Sequence, residues 1–306
     1  MLKKKIIFLL GPTAIGKSAI AIKLAKKIKA EIISCDSMQV YRGMDILTSK
    51  VDSAQRKKIR HHLLDVIAPS QEYNVAKYRR DALLICNELF LKGKIPFFVG
   101  GTGLYYSIII DGLFPKVSKD RSIRAKLNKA LQLKGSRYLY KKLARVDAQA
   151  AKKIHPHDSR RIIRALEVYL KTGKPISVLQ KSRVGLGDEY EINIFGLNLN
   201  RELLYKKIDQ RVDKMFKLGL VNEVKRLVKY RLSKTAAQAI GIRELGGYFN
   251  GEYALEEARR LIQRNSRHYA KRQCSWFKND KRIMWININK TQTSAQIALK
   301  LWKKLS

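Results

Sequence analysis

The chain is poor in cysteine and proline. Its three cysteines, Cys35, Cys86 and Cys274, lie far apart in a sequence of 306 residues, and no C-x₂-C pair exists. This spacing argues against a disulfide framework and a zinc site, and the five histidines show no metal-ligand spacing either. The six prolines form no Pro-rich tether, and the sequence has no internal repeat. With 45% hydrophobic residues, the chain is expected to be globular.

Long apolar runs are also missing. No run reaches the roughly 20 residues that a membrane-spanning helix needs. The N-terminus, MLKKKIIFLL, has the charge and apolarity of a signal peptide, but its apolar stretch is short and no small-residue cleavage site follows. We interpret it as the first buried strand of a cytoplasmic protein that has no membrane partner.

Acidic residues are scarce, because 25 Asp and Glu stand against 64 Lys and Arg, which gives a formal net charge of +39. A surface this basic attracts polyanions at long range and favours a nucleic-acid partner. Lysine enrichment through genome composition would instead spread the charge over every face, and a membrane surface or simple solubility would also account for it. Charge repulsion between copies favours a monomer.

The most specific motif is a glycine-rich loop that lies between an apolar run, IIFLL, and a helical pattern, AIAIKLAKKI. The loop has the form G-x-x-x-x-G-K-S and consists of Gly11, Pro12, Thr13, Ala14, Ile15, Gly16, Lys17 and Ser18. Backbone N–H groups of such a loop bind phosphate together with the helix N-terminus, and Lys17 adds a full charge. The Ser18 hydroxyl is suited to bind Mg²⁺. We therefore expect a phosphate or diphosphate site here.

The pattern around this loop predicts an α/β fold, with a P-loop NTPase-like, three-layer parallel sheet as its core and an inserted helical domain. Strands are expected at 6–10, 31–37, 63–67, 95–103, 191–199 and 282–288, and helices at 18–29, 75–92, 201–229, 254–278 and the C-terminus. Such sheets bind ligands at the carboxyl ends of their strands. The glycine-rich loop, Asp36 and the turn Gly100-Gly101-Thr102 should therefore share one rim.

The middle of the chain is strongly basic and helical, which interrupts the alternation of strands and helices. We predict a first part of the core at 1–115, an inserted helical domain at 116–190 and a second part of the core at 191–306.

The sequence lacks the motifs that mark two other classes of phosphate-loop protein. A GTPase needs N-K-x-D, and Asn289-Lys290 is followed by Thr291-Gln292 instead. A mechanical ATPase usually has an apolar strand that ends in Asp-Glu, whereas PFFVGGT ends in glycines and a threonine. The acidic residue of the rim is Asp36, which is suited to be a metal ligand, a general base or a cap of the following turn.

Several sequence blocks resemble the tRNA dimethylallyltransferases. These blocks are GPTAIGKS, SCDSMQVYRGMDILTSK at 34–50, FFVGGTGLYY at 97–106, IHPHDSRRIIRALEVY at 154–169, the Asp209-Gln210-Arg211 segment and YAKRQCSWF at 269–277. They occur in the family's order and extend over residues 5–285. The resemblance implies transfer of a dimethylallyl group from dimethylallyl diphosphate to the exocyclic amine of the adenosine 3′ of the anticodon.

The resemblance also assigns roles to particular residues. It implies that the glycine-rich loop holds the diphosphate of the donor, with Mg²⁺ on Ser18 and help from Arg211. It implies that Asp36 is the base that takes the proton of the adenine amine. Thr102 and Arg124 match positions that the family uses near the reacting centre.

The same resemblance implies that tRNA, through its anticodon stem-loop, is the partner. The implied contacts are Asp36, Ser37, Met38, Gln39, Arg160, Arg161, Ile162, Ile163 and Arg164. Arg161 and Arg164 lie one helical turn apart, so a solvated basic helix is the alternative. The C-terminal run RRLIQRNSRHYAKRQCSWFK suits a tRNA phosphate ridge, or its aromatic residues belong to the core.

Three other functions stay open. An adenylate isopentenyltransferase would share the loop and Asp36 but would not need the insertion or so basic a surface. A nucleotide kinase or nucleic-acid-dependent ATPase would release γ-phosphate, and a non-catalytic tRNA-binding module would need no such set of polar residues. The chain departs from the family pattern at Ile15, Ile242, Ser266 and Ser275.

Overall fold

The computed structural model describes residues 3–114, 117–187 and 189–305. These residues form two compact units, one from 1–109 together with 188–306 and the other from 110–187. The second unit begins and ends a few residues before the insertion expected at 116–190. The first expected boundary, at residues 115 and 116, lies outside the described residues.

The first unit is built on a six-stranded sheet with the order β3-β2-β4-β1-β5-β6. Its strands are β1 (Lys4–Leu10), β2 (Ala30–Cys35), β3 (His61–His62), β4 (Ile95–Gly100), β5 (Tyr190–Asn198) and β6 (Met284–Asn287). Every pair of neighbouring strands is parallel. At the carboxyl ends, Leu10 lies between Gly100 and Gly196 in register. The predicted α/β class with a parallel sheet is confirmed.

Helices follow most strands. They are α1 (Lys17–Lys27), α2 (Ser53–Lys58), α3 (Val75–Leu91), α4 (Gly103–Ile110), α5 (Arg121–Val146), α6 (Ala148–Lys153), α7 (Ser159–Thr172), α8 (Ile176–Lys181), α9 (Arg201–Lys217), α10 (Leu220–Leu227), α11 (Ile242–Phe249), α12 (Leu255–Lys278) and α13 (Ser294–Trp302). The predicted helix at 201–229 is two helices, because Gly219 takes a left-handed φ of 95° between them. In the described part of the chain, no helix is long and apolar enough to cross a membrane.

The sheet is covered on both faces because alternate residues of its strands point to opposite sides. On one face, Ile7 and Leu9 belong to a buried cluster with residues of α1 and α13. On the other face, Phe8 stacks on Phe98 at 4.6 Å between ring centroids, and Tyr106 of α4 packs edge-on against Phe8. These layers bury residues 6–10 of β1 and 96–100 of β4 and hold the carboxyl ends of these strands at a common rim.

The strand predicted at 63–67 is wrong. Leu63 and Asp65 have left-handed φ values of 60° and 56°, which no extended strand adopts. The Asp65 carboxylate binds Lys50 at 2.5 Å and Arg56 at 2.7 Å. These ion pairs stabilise an irregular loop, so the apolar run LLDVI is a loop rather than a strand, with Leu63 buried and the other four residues half-buried.

The second unit consists of α5–α8, and Gly135, with a φ of 74°, interrupts α5. Its core contains Leu139, Leu143, Ile162 and Leu166. The chain enters and leaves the unit through an antiparallel bridge between Leu113 and Val184. The unit is helical apart from this bridge, as the sequence predicts.

Candidate active site at the carboxyl ends of the strands

The glycine-rich loop joins the end of β1 to the start of α1 through unusual backbone conformations. Gly16, the residue before α1, has a φ of 97°, and Ala14 has a φ of 63°. A side chain at Gly16 would be strained in this region, although the space around it is open. The loop therefore places the free N–H groups at the start of α1 next to Lys17 and Ser18, in the arrangement that binds phosphate.

Lys17 lies across the mouth of the loop. Its ammonium group donates hydrogen bonds to the carbonyl oxygens of Gly11 at 2.9 Å and Pro12 at 2.8 Å. Burial and, next, the positive charge of Arg211 lower the pKa of Lys17 to about 8. A bound diphosphate would place negative charge beside this ammonium group and would stabilise its protonated form.

Ile15, which departs from the family pattern, does not reduce the room for an anion. Its side chain is 1% exposed and packs in the buried cluster with Ile7, Leu9 and Ile20. The isoleucine thus anchors the loop to the hydrophobic core.

Arg211 lies opposite the glycine-rich loop. Its guanidinium group donates to the hydroxyl of Thr13 and, through Nε, to the hydroxyl of Ser49 at 2.9 Å. Burial lowers the pKa of Arg211, whereas the nearby charge of Asp36 raises it. The arginine is thus held in place by two hydroxyls beside the loop, which agrees with a role in binding the diphosphate.

Asp36 and Thr102 lie together because β2 and β4 are neighbours and end at the same rim. The Oδ1 atom of Asp36 accepts a hydrogen bond from the N–H of Met38 at 2.9 Å, so the carboxylate does cap the following turn. The Thr102 hydroxyl accepts from the N–H of Ser37 at 3.1 Å, and the Thr102 N–H donates to the carbonyl of Cys35 at 3.1 Å. Capping occupies only Oδ1, so Oδ2 remains available for a proton.

Gln273 is a site residue that we did not identify from the sequence. Its Oε1 accepts the N–H of Thr13 at 2.9 Å, and its Nε2 donates to the carbonyl of Gly101 at 2.9 Å. A Cβ at Gly101 would lie 2.1 Å from this Nε2, so the glycine makes room for the amide. No local pattern in the sequence marks this contact, because Gln273 and Thr13 lie 260 residues apart.

Two cavities meet at these residues. One, of about 340 Å³, is lined by Gly16, Lys17, Ser18, Gly101 and Gln273. The other, of about 300 Å³, has a mixed lining, whose apolar part includes Met38, Leu47, Ile208, Val212, Met215 and Ile262. Thr13, Ala14, Asp36, Thr48, Arg211 and Tyr269 line both cavities. Asp36 and Arg211 therefore stand at the junction between a polar anion site and a cavity with a large apolar patch.

A magnesium ion would find few protein ligands here. The described residues contain no cluster of three or more His, Cys, Asp and Glu side chains that could hold a metal. Ser18 is exposed and lines the polar cavity. One hydroxyl together with diphosphate oxygens fits the way Mg²⁺ binds at phosphate sites, where it keeps several non-protein ligands.

Arg124 and Arg164 lie in the second unit, where both bind Glu167. The carboxylate of Glu167 is fully buried and accepts from Arg124 at 2.7 and 2.9 Å and from Arg164 at 2.6 Å. Burial alone would raise the pKa of Glu167, but these hydrogen bonds outweigh it and lower the pKa to about 2. Both arginines therefore stabilise the core of the second unit through Glu167. This structural role was not among the catalytic and tRNA-binding roles expected from the sequence.

The remaining expected contacts of α7 fall into two groups. Arg160 and Arg161 are exposed, and Arg161 makes one ion pair with Asp158 at 3.3 Å. Ile162 and Ile163 are buried in the core of the second unit. Their side chains hold the helix that exposes the arginines, and a tRNA contact at these two positions stays a prediction.

The aromatic residues of α12 also lie in different environments. Phe277 is buried in the core, whereas Trp276 is 41% exposed, and Tyr269 lines both cavities. Arg260 and Arg267 form ion pairs with Glu257 and Asp209, at 2.7 Å each. The helix is therefore partly core and partly a basic surface, so neither interpretation of its sequence holds for every residue.

Comparison with known proteins shows the family. The IPP transferase family matches residues 39–280, and the isopentenyl transferase family matches residues 4–66. The tRNA dimethylallyltransferase of Carboxydothermus hydrogenoformans is 48% identical over 94% of both chains. The one of Halothermothrix orenii is 46% identical over 93% of this chain and 88% of its own.

Solved structures agree with these sequence relatives. The full-length tRNA isopentenylpyrophosphate transferase of Bacillus halodurans has a TM-score of 0.72 and 37% identity, over 99% of this chain and 97% of its own. A eukaryotic dimethylallyltransferase acting on tRNA has a TM-score of 0.79 and 29% identity, over 97% of this chain and 77% of its own. From its sequence, its fold and the residues at its rim, the chain belongs to the tRNA dimethylallyltransferase family.

Proposed function

We propose that this protein transfers a dimethylallyl group from dimethylallyl diphosphate to the N6 amine of the adenosine next to the anticodon, on its 3′ side, in tRNA. The observation that carries the proposal is the junction of the two cavities, where Asp36 and Arg211 lie between an anion site and a cavity with a large apolar patch. The reaction needs both environments at once, because one end of the donor is a diphosphate and the other is a hydrocarbon.

The polar cavity would hold the diphosphate. Loop N–H groups, Lys17 and Arg211 provide positive charge where negative charge grows as the C–O bond of the donor breaks. The Ser18 hydroxyl would help to hold Mg²⁺, which would supply further positive charge for the leaving diphosphate. These groups stabilise the leaving diphosphate more than the intact donor, which is what lowers the barrier.

Asp36 would act as the base. The adenine amine is a poor nucleophile because its lone pair is delocalised into the ring. As its nitrogen forms the bond to the prenyl carbon, its proton passes to the Asp36 carboxylate, and the electron pair of the breaking C–O bond leaves with the diphosphate. A positioned base contributes about 10²–10⁴-fold. Thr102 fixes the backbone beside Asp36 through its contact with Ser37.

The target adenine has to leave its stack to reach Asp36, which costs a few kcal/mol. We propose that Ser37, Met38 and Gln39 at the rim contact the flanking nucleotides. Exposed Arg160 and Arg161 of α7 would bind the tRNA backbone. We further propose that the protein acts as a cytoplasmic monomer.

The deciding experiment offers an unmodified tRNA anticodon stem-loop and AMP side by side with dimethylallyl diphosphate and Mg²⁺. Mass spectrometry of the nucleosides should find N6-isopentenyladenosine in the RNA alone. Asp36→Asn is the matched inactive control. Modification of AMP alone would make the protein an adenylate isopentenyltransferase, and steady phosphate release from ATP would point to a kinase or an ATPase.

A further inference from the structure

A hydrogen-bonded turn at residues 45–49 connects the candidate diphosphate site to a buried carboxylate. The N–H of Lys50 donates to the carbonyl of Asp45, and that of Ser49 to the carbonyl of Ile46, both at 3.0 Å. These two bonds use none of the N–H groups of residues 45–47, which therefore need an acceptor outside the turn. The segment thus has two functional ends, an N-terminal end that needs an acceptor and a C-terminal end at Ser49.

Glu223 of α10 is the acceptor at the N-terminal end. Its side chain is buried, and its Oε2 accepts from the N–H groups of Asp45 at 3.1 Å and Ile46 at 2.8 Å. Its Oε1 accepts from the N–H of Leu47 at 2.8 Å. Hydrogen bonds to a carboxylate are about twice as strong as those between neutral groups. One charged side chain therefore fixes three consecutive peptide groups of the turn.

Ser49 at the other end contacts the site. It has a left-handed φ of 46°, a conformation that is unfavourable outside glycine and persists only where its surroundings hold it. In this conformation its hydroxyl accepts the Nε–H of Arg211, whose other edge donates to Thr13 of the glycine-rich loop. The strained serine thus sets the orientation of the guanidinium group.

We infer that Glu223 is a positioning residue for prenyl transfer, because it holds the turn that places Ser49 against Arg211. Glu223 is not among the residues that line the polar cavity, which include Thr48, Ser49 and Arg211. The inference rests on the proposed function only in assigning the diphosphate as the ligand of Arg211. The effect of Glu223 on Arg211 passes through the turn at residues 45–49, by way of Ser49.

The test is a double-mutant cycle on binding of inorganic pyrophosphate with Mg²⁺ to the full chain, measured by calorimetry. Glu223→Gln keeps the size of the side chain but replaces one acceptor oxygen by an NH₂ group that faces the turn. Ser49→Ala removes the contact to Arg211 and leaves the turn in place. We expect each variant to bind pyrophosphate about tenfold more weakly, and the double variant also about tenfold more weakly, because both changes break the same route.

Control variants separate positioning from folding. Glu257→Gln makes the same change at a half-buried carboxylate that pairs with Arg260 on α12, and this variant should bind pyrophosphate as the wild type does. Thermal unfolding reports whether Glu223→Gln is folded. If it is not, Glu223→Asp, which keeps the charge but shortens its reach, replaces it in the cycle.

The outcomes are distinct. Unchanged affinity in Glu223→Gln, or an additive loss of about a hundredfold in the double variant, overturns the inference. In kinetic assays, KM for tRNA should stay constant while KM for the donor rises and kcat falls. If the wild type modifies no tRNA but the cycle is still non-additive, the proposed reaction fails and the positioning role of Glu223 stands.

Discussion

The Gln273 amide joins the backbone of Thr13, in the glycine-rich loop, to the carbonyl of Gly101, in the turn after β4, with two hydrogen bonds of 2.9 Å. The two loops come from different strands, so this side chain fixes the width of the polar cavity between them. It also uses the Thr13 N–H, which leaves the N–H groups at the start of α1 for the anion.

Gln273→Glu should widen or distort this cavity. The carboxylate keeps an acceptor for Thr13 but places a second oxygen against the Gly101 carbonyl. We expect a loss of stability of about 1–3 kcal/mol in chemical denaturation and weaker pyrophosphate binding. Gly101→Ala should have the same effect, because its Cβ displaces the same amide. The exposed Gln149→Glu is the control, and equal behaviour of Gln149→Glu and Gln273→Glu would contradict the assignment.

Asp36→Asn should reduce turnover by about 10²–10⁴-fold while the affinities for pyrophosphate and tRNA stay close to those of the wild type. The asparagine oxygen still accepts the N–H of Met38, so the turn is preserved and only the base is removed. Single-turnover kinetics with dimethylallyl diphosphate measure the chemical step. Asp52→Asn, at an exposed cap of α2, should leave it unchanged. Full turnover in Asp36→Asn would reduce Asp36 to a turn-capping residue.

Because of Lys17, the stability of the protein should rise with pH while its affinity for pyrophosphate falls. Its pKa is lowered from 10.5 to about 8, so between these values the unfolded chain holds a proton that the folded chain has lost. The free energy of unfolding of the wild type should therefore rise, relative to that of Lys17→Met, as pH increases from about 8 to 10.5. Over the same interval its advantage in pyrophosphate affinity should disappear. Denaturation and calorimetry in matched buffers measure both, and identical pH profiles for the two proteins would refute the role of Lys17.

Arg161 and Arg164 should differ when changed to alanine, although they lie one turn apart on α7. The side chain of Arg161 is 59% exposed, whereas Arg164 binds the buried Glu167. Arg161→Ala should reduce the slope of tRNA affinity against salt concentration by about one unit without loss of stability. Arg164→Ala should cost about 1–3 kcal/mol in stability, since it leaves Glu167 with one arginine fewer. A salt slope unaffected by Arg161→Ala would show that this helix is merely solvated.

The local patterns of the sequence predicted most of the core. A strand, a glycine turn and a helix are consecutive segments, and their hydrophobic periodicity needs no knowledge of the rest of the chain. The common rim of Asp36 and Thr102 was predictable too, because parallel strands align their carboxyl ends. The loop at 63–67 was not, since a short apolar run looks the same in a strand and in a loop held by ion pairs.

The long-range contacts that complete the site could not be predicted from the sequence, for a different reason. Glu223 binds a turn that lies 176 residues earlier in the chain, and Gln273 binds a loop 260 residues earlier. A lone buried carboxylate or amide has no periodicity that marks its partner. For Arg124 and Arg164, the resemblance suggested functional positions but gave no sign that both bind Glu167.

The bridge between Leu113 and Val184 holds the two ends of the 110–187 unit side by side. A segment whose ends lie close together can change in length without pulling apart the elements that it connects. Shortening or lengthening the helices inside this unit should therefore leave the order of the strands in the sheet unchanged.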